Sequence, residues 1–224
     1  MDVPIQGLLF VGIIPALILL FLSLKGYEGY YRDKTIFLTF VIGIIFGVIA
    51  AALRLYLSPP PLLVVYIILF AFFEQLLKTI VLNIGRLQYK KETTIYGMSL
   101  GLGFGSSFTP FLVITGSLSG HTSLDFLSLL ILGSMGFILF HSATGAYIGY
   151  GISSGKMTKY LLTAILLQLP FNTISDLTRF YLDPKFPYYQ AGLVIYGAII
   201  FGYVVLKVMP RILKDEARKR SKKL

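Results

Sequence analysis

Long apolar blocks separated by short polar segments run through this chain, with no sign of the strict alternation that marks half-buried strands. Seven blocks stand out, at roughly 5–24, 36–57, 62–82, 95–116, 127–150, 159–180 and 189–209. A bilayer core about 30 Å thick needs about 20 apolar helical residues to cross it, so each block has the length of a span. The fourth is rich in Gly and Ser and holds Pro110. It is expected to be broken or partly re-entrant, which lipid tolerates only where other helices cover the backbone. The first block has no basic segment before it and no cleavage signature after it, so it is expected to remain as a span. The fold expected is all-α: a polytopic transmembrane bundle of seven spans, one membrane domain over 1–210 with a basic tail over 211–224.

Basic residues give the orientation, because they accumulate in cytoplasmic loops. Lys25, Arg32 and Lys34 follow the first block, Arg86, Lys90 and Lys91 the third, and Lys156 and Lys159 lie beside the fifth and sixth. The tail adds Lys214, Arg218, Lys219, Arg220, Lys222 and Lys223. Segments on the opposite side hold Lys185, with Arg54 and Arg179 near their edges. The asymmetry predicts an outside N-terminus and a cytoplasmic C-terminus.

Composition narrows the classes further. With 56% hydrophobic and 13% charged residues, a chain of 224 residues has more apolar surface than one soluble core would hide, so the lipid bilayer is its expected partner. The net charge of +10 is accounted for by loops and tail, without a basic-aromatic surface for bases, and no nucleic acid is expected. The tail is expected to attract anionic lipid. Absence of Cys excludes disulfides and thiolate chemistry. Absence of Trp leaves Tyr27, Tyr30, Tyr31, Tyr56, Tyr89, Tyr188 and Tyr189 to form the interfacial belt. Abundant Tyr, Ile, Leu and Lys without Cys or Trp point to a prokaryote, and hence to a prokaryotic cell membrane.

Ionisable groups at mid-membrane cost several kcal/mol, so each is a candidate for function. Glu74 lies midway along the third block beside Gln75, with Lys78 one turn on. A self-neutralising Glu74–Lys78 pair with Lys78 reaching toward water is the purely structural alternative. His141 sits at similar depth in the fifth block, ahead of Gly145 and Gly149. Alone, it would be a hydrogen-bonded packing residue. In the sixth, Gln168, Asn172, Ser175, Asp176 and Arg179 share one face, and Pro170 interrupts the helix. The fourth offers Gly97, Gly101 and Gly105 at the spacing that lets helices approach closely, together with Ser106, Ser107 and Thr109. These residues imply one buried polar cavity, with Glu74, His141 and Asn172 as candidate catalytic groups and Gln75, Lys78, Ser106, Ser107, Gln168 and Asp176 around them. No metal-binding spacing occurs, and no cofactor is indicated.

Four segments carry a resemblance to a known superfamily. IIPALILLFLSLKGYEGY, followed by a block with Gly43 and Gly47, resembles its opening helix and acidic loop. FFEQLLK resembles a paired-glutamate motif followed by a basic residue, with Glu74 and Lys78 matching and Gln75 in place of the second Glu. YGMSLGLGFGSSFT resembles a Gly-Leu-Gly-Phe helix that normally bears Glu or His where Phe108 stands. FHSATGAYIGYG and QLPFN resemble two later helices through His141 and Asn172, with Gln168 where a His belongs. Over roughly residues 12–180 the chain thus looks like the PrsW-like and CAAX-type (CPBP) intramembrane peptidases, a group that includes YhfC-like proteins and, as a proposed non-proteolytic relative, the anterior-pharynx-defective subunit of gamma-secretase.

The resemblance implies a glutamate that activates water against a peptide bond, with His and Asn around it. Glu74 would be that base. Phe108 cannot act as acid, base or ligand, and Gln168 can only hydrogen-bond, so these departures weigh against proteolysis. Three functions remain open: a non-catalytic relative that binds or scaffolds another membrane protein or a transmembrane peptide, an active intramembrane peptidase, and a proton- or ion-coupled transporter.

Overall fold

The computed structural model describes residues 11–57, 62–88, 90–118, 124–180 and 187–213. Tyr89, Lys185 and the tail beyond residue 213 lie outside the described residues, as does the side chain of Arg179. The chain forms α1 Ile13–Leu24, α2 Asp33–Tyr56, α3 Leu63–Leu82, α4 Thr93–Ser106, α5 Phe108–Leu118, α6 Leu124–Ser153, α7 Met157–Phe180 and α8 Pro187–Tyr203. The last continues into a π turn over Val204–Val208. There is no strand among the described residues. Among the described residues four segments are long and apolar enough to cross a membrane: Asp33–Tyr56, Leu63–Leu82, Ile131–Ser153 and Tyr188–Leu213. They fit a membrane-integral protein. Their lipid-type faces are exposed, with Phe37, Val64, Ile80 and Ile199 each more than 60% accessible.

The fourth apolar block is two helices, and the joint has a local cause. Pro110 has no N–H to offer the Ser106 carbonyl, so the ladder fails there, and Ser107 separates α4 from α5. The freed carbonyl lies against Gly12, where any Cβ would collide with it. That glycine lets the start of α1 close over the joint.

Every residue of α4 is buried, which makes this short helix the axis of the bundle. Its position depends on glycine. On one side Cβ atoms at Gly97, Gly101 and Gly105 would strike backbone of α6 at Gly145, His141 and Phe137. Gly145 and Gly149 of α6 meet backbone of α4 at Gly97 and Thr93 in turn. On the other side Gly43 and Gly47 of α2 meet Leu100 and Phe104, while Gly103 meets Phe40. Small residues at four-residue spacing on both faces bring three helices to backbone contact, where dispersion is strongest without any side chain between them. Two hydrogen bonds fix the register of α4 on α2: Ser99 Oγ donates to the Ile36 carbonyl at 2.7 Å, and Arg32 N–H donates to the Tyr96 hydroxyl at 3.1 Å.

The remaining helices pack around this triplet. Helix α8 lies on α6 through Gly133, Gly136 and Gly197. Helix α3 leans chiefly on α7, with less contact to α6 and little to α2. Within α7, Pro170 interrupts the backbone ladder, and the nearby Leu167 carbonyl accepts a hydrogen bond from Tyr196 of α8 at 2.9 Å. The next residue, Phe171, stacks on Phe140 with centroids 4.3 Å apart.

Gly101→Val should lower the thermal unfolding midpoint sharply, since the new side chain overlaps α6 backbone; a loss of about 3 kcal/mol or more is expected. Gly192→Ala, on the open face of α8 with nothing within 4 Å, should be neutral or stabilise by up to about 1 kcal/mol. Helical circular dichroism of the detergent-solubilised proteins during heating checks both.

Candidate functional site

Three helices deliver the polar groups to one place. Helix α3 presents Glu74, Gln75 and Lys78, which lie next to each other on a helical surface because i and i+4 share a face. Helix α7 presents Gln168, Asn172 and Asp176 at successive i+4 steps, each at most 1% exposed. Helix α6 contributes His141 and Thr144, both fully buried. The fourth contributor comes from the last turn of α2. Arg54, 4% exposed, reaches inward between α3 and α7 rather than toward solvent.

Arg54 holds two carboxylates. Its Nε donates to Glu74 Oε1 at 2.7 Å, and its Nη1 donates to both oxygens of Asp176 at 2.9 and 3.0 Å. The guanidinium lies 4.7 Å over the Phe70 ring and 5.9 Å over that of Tyr66, and the Tyr66 hydroxyl donates to the Arg54 carbonyl at 2.8 Å. Aromatic faces attract a desolvated cation, so the guanidinium is held on its flat side as well as at its edge.

Lys78 turns away from Glu74. Its ammonium donates to Thr144 Oγ1 at 2.7 Å, His141 Nδ1 at 2.9 Å and Gln75 Oε1 at 3.2 Å, which uses all three of its protons. It is 1% exposed and does not reach toward water. Glu74 pairs with Arg54 instead, so the self-contained Glu74–Lys78 pair gives way to a cluster of four ionisable groups: Arg54, Lys78, Glu74 and Asp176.

Amides join the two halves. Gln75 Nε2 donates to Gln168 Oε1, and Gln168 Nε2 donates to Glu74 Oε2 and to Asn172 Oδ1, both at 2.8 Å. Asn172 Nδ2 donates to the Ile67 carbonyl at 3.2 Å. Hydrogen bonds therefore lead from the Lys78 ammonium through Gln75 and Gln168 to the Glu74 carboxylate.

His141 is the member left incomplete. With Lys78 as an ammonium, which can only donate, Nδ1 must accept and the ring proton sits on Nε2. That Nε2 is buried without a hydrogen-bond partner and lies 3.8 Å from Glu74 Oε2. The imidazole is walled by phenylalanines. Phe104 is 4.7 Å away by ring centroid, Phe140 5.6 Å, Phe108 5.7 Å, and Phe137 and Phe171 6.1 Å each. Phe108 stacks nearly parallel to the imidazole, at 11°.

Of the residues singled out by sequence, Glu74, Gln75, Lys78, His141, Gln168, Asn172 and Asp176 come together in this cluster. Ser106 and Ser107 are buried but bond back to the Gly103 and Phe104 carbonyls of their own helix, at the α4–α5 joint. Gly97, Gly101, Gly105, Gly145 and Gly149 lie at the α4–α6 contact behind His141. Arg54 is the member that sequence reasoning left at a loop edge. Charge counting offered a signal: two buried acids, Glu74 and Asp176, faced a single buried cation, Lys78, which called for a second from a span edge such as Arg54 or Arg179. Among the described residues no group of three His, Cys, Asp or Glu is placed to hold a metal ion.

Comparison with known proteins finds no matching family model, no matching curated protein and no matching solved structure.

Removing Arg54 leaves two buried carboxylates without a counter-charge. Arg54→Met should destabilise by about 3–5 kcal/mol. Adding Glu74→Gln and Asp176→Asn should recover much of that loss, with a coupling energy of roughly 1–3 kcal/mol. Unfolding of single, double and triple variants in one detergent measures it, and simple additivity would show that the ion pairs do not act as a unit.

Proposed function

We propose that this chain is a seven-span membrane protein and a non-catalytic relative of the PrsW-like and CAAX-type intramembrane peptidases, which binds or scaffolds membrane-protein partners. The seven spans would be α1, α2, α3, the α4–α5 pair, α6, α7 and α8, with the N-terminus outside and the C-terminus cytoplasmic. The distribution of Lys and Arg supports that orientation.

One observation carries the non-catalytic reading: the Arg54 guanidinium on Glu74 at 2.7 Å. A general base needs a free lone pair and a proton affinity suited to its task. Oε1 of Glu74 already accepts from Arg54 and Oε2 from Gln168, so both oxygens are engaged before any water arrives. Phe108 adds support, because a ring stacked on His141 occupies the position where the resemblance calls for Glu or His. On this reading the charge cluster fixes how α2, α3, α6 and α7 sit against one another, and partners dock on the resulting bundle.

A second reading, an active peptidase using Glu74, is favoured by the unpartnered His141 Nε2 at 3.8 Å from Glu74 Oε2. An N–H beside a carboxylate is an arrangement that can hold and polarise a hydroxyl.

The two readings separate in one experiment. The protein is reconstituted with single-span membrane substrates, and peptide products are followed by mass spectrometry for the wild type, Glu74→Gln and His141→Phe. Equal, background-level cleavage in all three, together with a membrane protein that co-purifies stoichiometrically, is the expected result. Cleavage by the wild type that disappears in a folded Glu74→Gln variant would overturn the non-catalytic reading.

A further inference from the structure

We infer that the bundle end formed by α6, α7 and the π turn is a binding site for the phosphate of an anionic phospholipid, with the lipid chain lying along α8. The inference rests on the membrane placement of the chain and not on the reading of the buried charge cluster.

The site begins with a tyrosine cluster. Tyr147 and Tyr150 lie one turn apart near the end of α6, and Tyr160 of α7 packs against both, with centroids 4.6 and 5.4 Å away. Tyr160 lies over Gly151, where any Cβ would strike its side chain. Glycine at that position is what allows the ring to seat. The positive φ of Gly155, +70°, closes the short α6–α7 turn that brings Tyr160 back. Arg211, beyond the π turn, sets its guanidinium 5.6 Å over the Tyr150 ring. It is exposed and makes no ion pair with a carboxylate among the described residues.

The π turn explains how an exposed cation comes to a fixed place. Met209 N–H bonds to the Val204 carbonyl at 2.9 Å, five residues back, so one extra residue is wound into the helix. Such insertions recur at functional positions. Val204, Val208, Met209 and Ile212 remain buried, while Lys207 and Arg211 stay exposed. Lys156 and Lys159, also exposed, belong to the turn and first helical turn beside Tyr160. Four cations and a set of phenolic hydroxyls thus share one end of the bundle.

Charge alone would suit any phosphate. The surface leading to it favours a lipid. Ile195, Ile199, Tyr203 and Leu206, between 50% and 72% exposed, form a continuous stripe along α8 toward Arg211. Gly192 and Gly202 open notches beside that stripe, with nothing within 4 Å of either. An acyl chain fits the apolar stripe and its phosphate meets the guanidinium, which can donate two parallel bonds to it. This is a folded site, separate from the diffuse attraction of the tail beyond residue 213.

The test uses the full chain, purified in neutral detergent, with phosphatidylglycerol or phosphatidylcholine added and lipid retention followed by native mass spectrometry and unfolding temperature. Phosphatidylglycerol is expected to bind saturably and stabilise, and phosphatidylcholine to bind weakly. Arg211→Gln should weaken phosphatidylglycerol binding roughly fivefold to tenfold. The exposed Lys207→Gln should weaken it in the same direction, which keeps the test open if Arg211→Gln folds poorly. A tail carrying Arg218→Gln, Lys219→Gln, Arg220→Gln, Lys222→Gln and Lys223→Gln should bind as the wild type. Unchanged binding in both site variants, or loss in the tail variant alone, would overturn the proposal. Equal stabilisation by inorganic phosphate would also overturn it, by showing that the site takes a free anion.

Discussion

A carboxylate buried among apolar helices needs a counter-charge, and here one guanidinium supplies it to two of them. Arg54 comes from α2, Glu74 from α3 and Asp176 from α7, so this single side chain ties α2 to the α3–α7 pair. Helices α2 and α3 share scant contact despite being consecutive. Without the ion pairs, dispersion and the amide hydrogen bonds between α3 and α7 would set their separation, and lipid offers no hydrophobic drive to improve it. Burying each ion costs several kcal/mol, and the cluster recovers that cost only as a neutral, fully bonded set. Its value therefore lies in specificity of arrangement more than in stability.

The glycine contacts around α4 serve the same end from the other side. Backbone contact at Gly101 sets the height of His141 on α6, because the glycine lies directly against the His141 carbonyl. Lys78 can then reach His141 and Thr144 together. A bulky residue in that stripe would separate α4 from α6 and move the imidazole away from the ammonium. Packing at the axis thus governs electrostatics in the adjoining cluster.

Helix content and most of the cluster were legible in the sequence because each rests on a local signal. Apolar blocks of the right length gave the helices, and the i, i+4 spacing of Gln168, Asn172 and Asp176 gave a polar face. The break at Ser107 followed from Pro110. Partner choice was not legible. Glu74 and Lys78 are one turn apart, and local spacing favours pairing them. The fold instead offers each a better partner from a distant segment: Arg54, 20 residues back, for Glu74, and His141, 63 residues on, for Lys78. Ser106 and Ser107 illustrate the same limit, since a short hydroxyl near a helix joint bonds to its own backbone at no cost in loop closure. Neither residue type nor depth distinguishes that outcome from membership of the cluster.

The amide chain from Lys78 to Glu74 has a direction. Lys78 donates to the Gln75 oxygen, which turns the Gln75 nitrogen toward Gln168, which in turn points the Gln168 nitrogen at Glu74. Reversing either amide would set oxygen against oxygen or nitrogen against ammonium. Carboxamides neither release nor take up protons at ordinary pH, so this path cannot carry one from end to end. What it carries is polarity: the charge at one end dictates how the dipoles lie at the other. The amide chain is therefore an insulator with a fixed sense, along which a change at Lys78 would be felt at Glu74 as a lost hydrogen bond and not as a delivered proton.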